Sequence, residues 1–236
     1  MKPIRKILKI LGGLLVLGLI AFGIMYALYN KALPEGQSGH EAEELAQKML
    51  KAINNKAYQN TRFLEWSFNG GAHKYKWDKL KGRVEVIWDD HVVNLNLNDI
   101  SRSFVTKENS TLTAKEARAL YNKAWDYFNN DSFWLVAPFK VFDEGTERSV
   151  VQFGEGSKGL LVTYTNGGST PGDSYLWKLN SNGFPESFQM WVQIIPIGGI
   201  EATWDDWQVM ESGAFLPKTH KLGPMTIDMG KVKAYN

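Results

Sequence analysis

The sequence predicts an α+β protein: a single large curved antiparallel sheet with helices packed on one face, preceded by an N-terminal transmembrane helix. Three observations carry this reading. An uncharged run from Ile10 to Tyr29 follows a basic start. Alternation of apolar and polar residues with period two dominates long stretches after Arg62. Two segments with helical spacing, each opened by a capping motif, interrupt the strands.

The apolar run is about as long as a hydrocarbon core requires of a helix. Lys2, Arg5, Lys6 and Lys9 precede it, against only Lys31 with Glu35 just after it, which orients its N-terminus toward the cytoplasm. The expected organisation is a basic cytoplasmic segment 1–9, a membrane anchor 10–29, a linker 30–37 and an extracytoplasmic β domain 38–236. The alternative is a signal that is cleaved, releasing the domain. Ala21-Phe22-Gly23 is the one weak small-x-small site, and cleavage there would leave Ile24 to Tyr29 as an apolar new terminus. The chain has no cysteine, so N-terminal Cys lipidation, disulfides and thiolate metal sites are excluded.

The rest of the chain is long enough for one domain with a real core. Aromatic residues reach 13% with nine Trp, which argues for a tightly packed body. Removing the four leading cations from 27 leaves 23 basic against 25 acidic residues, a near-neutral domain. It carries no basic stripe interleaved with aromatics, so nucleic acid is not an expected partner.

A polar connector from Asn30 to Gln37 holds the domain within a few tens of Å of the membrane. Ser38-Gly39-His40-Glu41 reads as a capping box, and Ala42, Leu45, Ala46, Met49, Ile53 and Ala57 follow at helical spacing. Alternating strands come next, through Leu64, Trp66 and Phe68, then Tyr75 and Trp77, then Val84, Val86 and Trp88, then Val93, Leu95 and Leu97. Their connectors, Asn69-Gly70-Gly71, Lys81-Gly82 and Asp89-Asp90, are short, which favours an antiparallel meander. Thr113-Ala114-Lys115-Glu116 opens a second helix that Asn129-Asn130 is expected to end, with a short helix or turn over 131–139. A second strand series is expected at 150–153, 160–165, 175–179, 188–195, 200–209 and 226–232. No internal repeat is present.

Motifs that could carry chemistry are sparse. Gly154 to Gly159 spells G-x-G-x-x-G, but a strand pattern follows it where a phosphate-binding helix would have to begin. His40, His73, His91 and His220 have no metal-ligand spacing, and Asp89-Asp90-His91 is an incomplete ligand set. Trp204-Asp205-Asp206-Trp207 sets two acids beside two aromatics, and Ser110, Ser149 and Ser174 lie in no nucleophile turn. No catalytic residue, metal or cofactor is therefore expected. A hydrolase would need convergent carboxylates, with Asp205 or Asp206 as the first to consider.

The strand aromatics Trp66, Phe68, Tyr75, Trp77, Trp88, Tyr175, Trp177 and Trp191 fit two accounts. They fill an ordinary core, or they line an apolar cleft in a curved sheet. The order of elements from about His40 onward resembles the LolA/LolB-type periplasmic lipoprotein carriers. Three segments, DSFWLVAPFKVFD (131–143), TPGDSYLWKLNSNGFPESFQMWV (170–192) and ATWDDWQVMESGAFLPKTH (202–220), look like an uncharacterised family of that fold frequent in Bacteroidota-type genomes. The resemblance implies an open half-barrel in the periplasm that holds a lipid, an acyl chain or a lipidated protein. The carriers share a cavity rather than a motif, so no individual residue carries over. The expected ligand face consists of Leu64, Trp66, Phe68, Trp77, Val86, Trp88, Leu95 and Trp177. The alternative partner is another envelope protein, bound by a scaffold or sensor whose core is filled.

Overall fold

The computed structural model describes residues 2–106, 112–153, 156–166 and 170–236. Helix α1 (Lys2–Tyr29) stands apart from the domain. Its Lys9–Tyr29 portion has a mean hydropathy of 2.3 and none of its best window is buried, so this one helix is long and apolar enough to cross a membrane. At about 1.5 Å rise per residue it spans roughly 30 Å, the thickness of a hydrocarbon core.

The domain opens with α2 (His40–Ala52), whose buried face is Ala42, Ala46, Met49 and Leu50. Its N-cap is Gly39 at φ 132° with no side-chain cap, so the expected Ser38 capping box does not form. The Ala42 and Glu43 amides donate to the Gly39 carbonyl, so the helix starts from Gly39 and leaves Ser38 one residue too early to cap it. Helical spacing runs on to Ala57, but the chain breaks at Asn54, left-handed at φ 55°, before a short α3 (Asn55–Asn60). The Asn54 side chain tolerates that conformation and donates to the Gly213 carbonyl at 2.8 Å.

The strands are β1 (Phe63–Phe68), β2 (His73–Asp78), β3 (Arg83–Trp88), β4 (His91–Asn96) and β5 (Phe104–Val105), then β6 (Thr146–Phe153), β7 (Ser157–Tyr164), β8 (Ser174–Leu179), β9 (Pro185–Trp191) and β10 (Ile200–Thr203). The last are β11 (Gln208–Val209), β12 (Phe215–Leu216), β13 (Thr219–Leu222), β14 (Met225–Asp228) and β15 (Lys233–Tyr235). They form two large antiparallel sheets where the sequence suggested one. The first has the order β15-β1-β2-β3-β4-β5 and the second β14-β13-β10-β9-β8-β7-β6, with β11-β12 as a separate pair. Two expected strands are split. The 200–209 stretch breaks after Thr203, where Asp206 takes φ 50°. The 226–232 stretch breaks at Met229 and Gly230, the latter at φ 63°.

That second break joins the sheets. Met229 is fully buried, its carbonyl accepts from the Ser67 amide of β1 at 3.1 Å, and its amide donates to the Lys218 carbonyl at 2.9 Å. The C-terminal run therefore edges the second sheet as β14 and the first as β15.

Helix α4 (Ala114–Val136) is opened by the expected capping box of Thr113 and Glu116. It does not stop at Asn129-Asn130 but continues to Val136, followed by a 3-10 turn from Ala137 to Lys140. The propensity cost of two Asn is a few tenths of a kcal/mol each, small beside burying Leu135, Val136 and Phe139. One core runs through α2, α4 and the facing sides of both sheets. A second, small cluster of Val151, Leu161 and Leu176, with Phe153 and Trp191 against it, lies on the opposite side of the second sheet.

His220, fully buried on β13, donates Nδ1–H to the Thr203 carbonyl at 2.9 Å and sits against the rings of Trp204 and Trp134. Burial pulls its pKa down to about 4. Between pH 6.5 and 4 the unfolded chain takes up a proton that folded His220 refuses. Stability is thus full above 6.5 and falls by about 1.4 kcal/mol per pH unit on acidification toward 4. Urea unfolding across this window is expected to show a shallower acid slope for His220→Gln than for the parent chain.

Candidate functional site

Strand register brings the inward residues of the first sheet into three rows. Leu64, Trp77, Val84 and Leu95 form one; Trp66, Tyr75, Val86 and Val93 form the next; Phe68, His73, Trp88 and His91 form the last. Seven of the eight residues expected to line a ligand face therefore share one surface. Leu64, Trp66, Val86, Trp88 and Leu95 are buried, and Phe68 and Trp77 are half-buried. The eighth, Trp177, is fully buried on the second sheet, with its ring edge-on to Phe188 and tilted against Trp204. It belongs to the same continuous core but not to the same patch.

Helix α4 covers this surface. Phe128 meets Trp77 edge-on at 5.2 Å and Trp66 at 6.2 Å, while Trp66 and Tyr75 stack at 4.5 Å. One turn later the same helix turns to the second sheet, where Phe133 packs on Tyr175 at 4.6 Å and Trp134 on Phe188 at 5.6 Å. The helix is held unevenly. From Ala114 to Lys123 no residue is buried, whereas Asp131, Ser132, Leu135 and Val136 all are.

The last row holds a polar cluster that sequence reasoning missed. Asp131 of α4, 1% exposed, accepts from the Tyr75 hydroxyl at 2.5 Å and from His73 Nδ1–H at 2.7 Å through Oδ2. Its Oδ1 accepts from the Asn130 amide at 2.8 Å. Tyr127 stacks on His73 at 3.9 Å and meets Trp88 edge-on at 5.6 Å. His91 stacks on Trp88 at 5.1 Å, and Lys123 Nζ lies 5.7 Å from the Trp88 ring. Burial, and then the Asp131 charge, push the Tyr75 phenol far above its ordinary range, so it stays a donor. With three donors on it, the carboxylate acts as a clamp between α4 and β2 and not as a free base.

Sequence held half the signal for this cluster. His73 has the inward parity of Tyr75 and Trp77, and His91 that of Val93 and Leu95. Asp131 had none, because a charged residue after two Asn reads as a helix end.

The inner face also carries donors with no acceptor among the described residues: Nε1 of Trp66, Trp77 and Trp88, and Nδ1 of His91 in the tautomer that protonates it. An indole N–H can only donate, and a buried donor without an acceptor costs about 1–3 kcal/mol. Interiors normally satisfy such groups; Nε1 of Trp177 and Trp204, on the side of the second sheet, is without a partner in the same way among the described residues.

The other candidates lie elsewhere. Asp89 and Asp90 are exposed in the β3–β4 turn, with Asp89 at φ 45°. Asp205 accepts from the Thr203 hydroxyl next to it. Gly154 and Glu155 of the glycine motif, and Ser110, lie outside the described residues, and strand β7 begins within the motif at Ser157. Among the described residues no group of three or more His, Cys, Asp or Glu side chains could hold a metal ion. A cleft of about 540 Å³ lined by Lys31, Phe153, Ser157, Lys158, Lys178, Leu179 and Gln189 opens on the outer side of the second sheet. No family model matches the chain, and no curated protein matches it.

Tyr75→Phe removes one of three donors from a buried carboxylate and is expected to cost about 1–3 kcal/mol of unfolding free energy. Tyr235→Phe removes the 2.6 Å bond to the partly exposed Glu65 and is expected to cost less than 1 kcal/mol. Urea titration of the two variants measures the difference.

Proposed function

We propose that this protein is a membrane-anchored periplasmic domain that binds a lipid or acyl chain, such as that of a lipoprotein, against the inner face of its first sheet. In this reading α1 is an uncleaved single-pass anchor in the cytoplasmic membrane. The two sheets are the halves of one open half-barrel of the LolA/LolB carrier type, joined at Met229, and α4 is its lid. Function is binding without a catalytic step, cofactor or metal.

The observation that carries the reading is the pairing of an aromatic surface with unspent indole donors under a helix held firmly at one end only. An acyl chain replacing the ring of Phe128 gains about 25 cal/mol per Å² of apolar surface removed from water. A carbonyl or headgroup oxygen satisfies the indoles of Trp66, Trp77 or Trp88. The Asp131 clamp keeps the C-terminal half of α4 seated while the half before Ala124 swings.

A second reading has its own support. The rings of Trp66, Tyr75, Trp77 and Phe128 already contact one another. A core so filled suits a scaffold or envelope sensor that binds another envelope protein by its surface.

A photoreactive fatty acid crosslinked to the full chain in membranes separates the two. The carrier reading expects adducts in peptides covering 63–97 and 114–136, reduced several-fold by Trp66→Ala in a chain that still folds. Adducts confined to α1 would leave the scaffold.

A further inference from the structure

The connector after α1 is laid against the domain and not free to swing. Asn30, the first residue beyond the helix, accepts through Oδ1 from the Gly198 amide at 2.8 Å. The Lys31 amide donates to the Gly198 carbonyl at 3.0 Å, and the Trp191 indole donates to the Lys31 carbonyl at 2.8 Å. Gly198 is required by this approach, since a Cβ there would lie 2.8 Å from the Lys31 carbonyl oxygen and 2.5 Å from the Trp191 ring. At its far end the connector pairs with the edge of β6, where Gln37 and Val150 exchange two backbone hydrogen bonds of 2.9 Å. Gly36 fits there because a Cβ would meet Ser149 Oγ at 2.2 Å. The strap thus runs from the β9–β10 loop to the β6 edge, along the side of the sheet that carries the small second cluster.

This pins a particular loop at the end of the anchor. The β9–β10 connection, 192–199, reads Val-Gln-Ile-Ile-Pro-Ile-Gly-Gly and contains no charge. The Ile195 amide donates to the Val192 carbonyl at 3.1 Å, which turns the chain and leaves Ile194 70% exposed at the bend. The neighbouring Ile197 is buried and Ile195 half-buried, so the turn is a packed structure that holds one large aliphatic side chain out. Four residues separate Ile194 from Gly198, a reach of at most about 14 Å. Gly198 itself is hydrogen-bonded to Asn30, the first residue beyond the spanning helix, so the tip lies within reach of the headgroup layer, which is about 6 Å deep on each side. Leu33 of the strap, 46% exposed, adds a second apolar side chain on the same short tether.

We propose that the β9–β10 loop is a membrane-docking element, inserting Ile194 into the interfacial layer of the bilayer that α1 spans. The occupant of this surface is lipid. A helix alone fixes only where the chain leaves the membrane; a second contact beside it also fixes how the domain tilts on that surface. The inference rests on the reading of α1 as an uncleaved anchor and is independent of any ligand on the inner face.

The chain's lack of cysteine makes the test clean. Leu17→Cys in α1, Ile194→Cys at the loop tip and Leu80→Cys, 76% exposed in the β2–β3 turn, are each labelled with an environment-sensitive fluorophore in the full chain, reconstituted in phospholipid nanodiscs. Spin-labelled lipids are then added as quenchers. The proposal expects loss of emission at positions 17 and 194 and none at 80. Quenching at 17 without quenching at 194 overturns the docking loop and leaves the anchor standing. No quenching at 17 removes the anchor reading, and the docking inference with it.

Discussion

Two sheets in this protein bury their aromatic faces against one helix, and the rest of the structure depends on that shared burial. Phe128 serves the first sheet, Phe133 and Trp134 the second, and the two sets are barely more than a turn apart on α4. Each aromatic pair contributes about 0.5–1.5 kcal/mol beyond its buried area, but only while the helix is seated between the sheets. The seam at Met229 works alongside it. One residue bonded to Ser67 on one side and Lys218 on the other keeps the two sheets from separating.

Asp131 makes that seating specific. Hydrophobic contact is indifferent to a small slide of α4 along its axis, whereas a buried carboxylate that accepts from Tyr75, His73 and Asn130 is not. The clamp sits about three quarters of the way along the helix. Everything C-terminal to it is embedded, and the stretch before Ala124 rests on the sheet by one face. In the proposed carrier reading, this uneven burial is what lets the first half of the helix act as a lid.

Polar order on the outer side has a different purpose. There the strap from Asn30 to Gln37 replaces a flexible linker with a chain segment hydrogen-bonded at both ends. The distance between the end of α1 and the second sheet is thereby set by these hydrogen bonds and not by linker statistics. The inner face and the strap lie on opposite sides of their sheets, so events at one need not disturb the other.

The sequence by itself determined the elements whose cause is local. The length and charge asymmetry of the first thirty residues specify α1, period-two alternation specifies β1 to β4 and puts seven of the expected face residues on one side, and the Thr113–Glu116 box starts α4. Only the tertiary structure decided where α4 ends, because the burial of Leu135, Val136 and Phe139 between two sheets overrides the two Asn that locally favour a stop. It alone divided the strands into two sheets, since the break at Met229 is made by partners more than 150 residues away at Ser67 and eleven residues away at Lys218. It alone brought Asp131 onto His73 beside Trp88 and His91, because helix docking is long-range and leaves no periodic mark on the chain, whereas the shared parity of those three strand residues does.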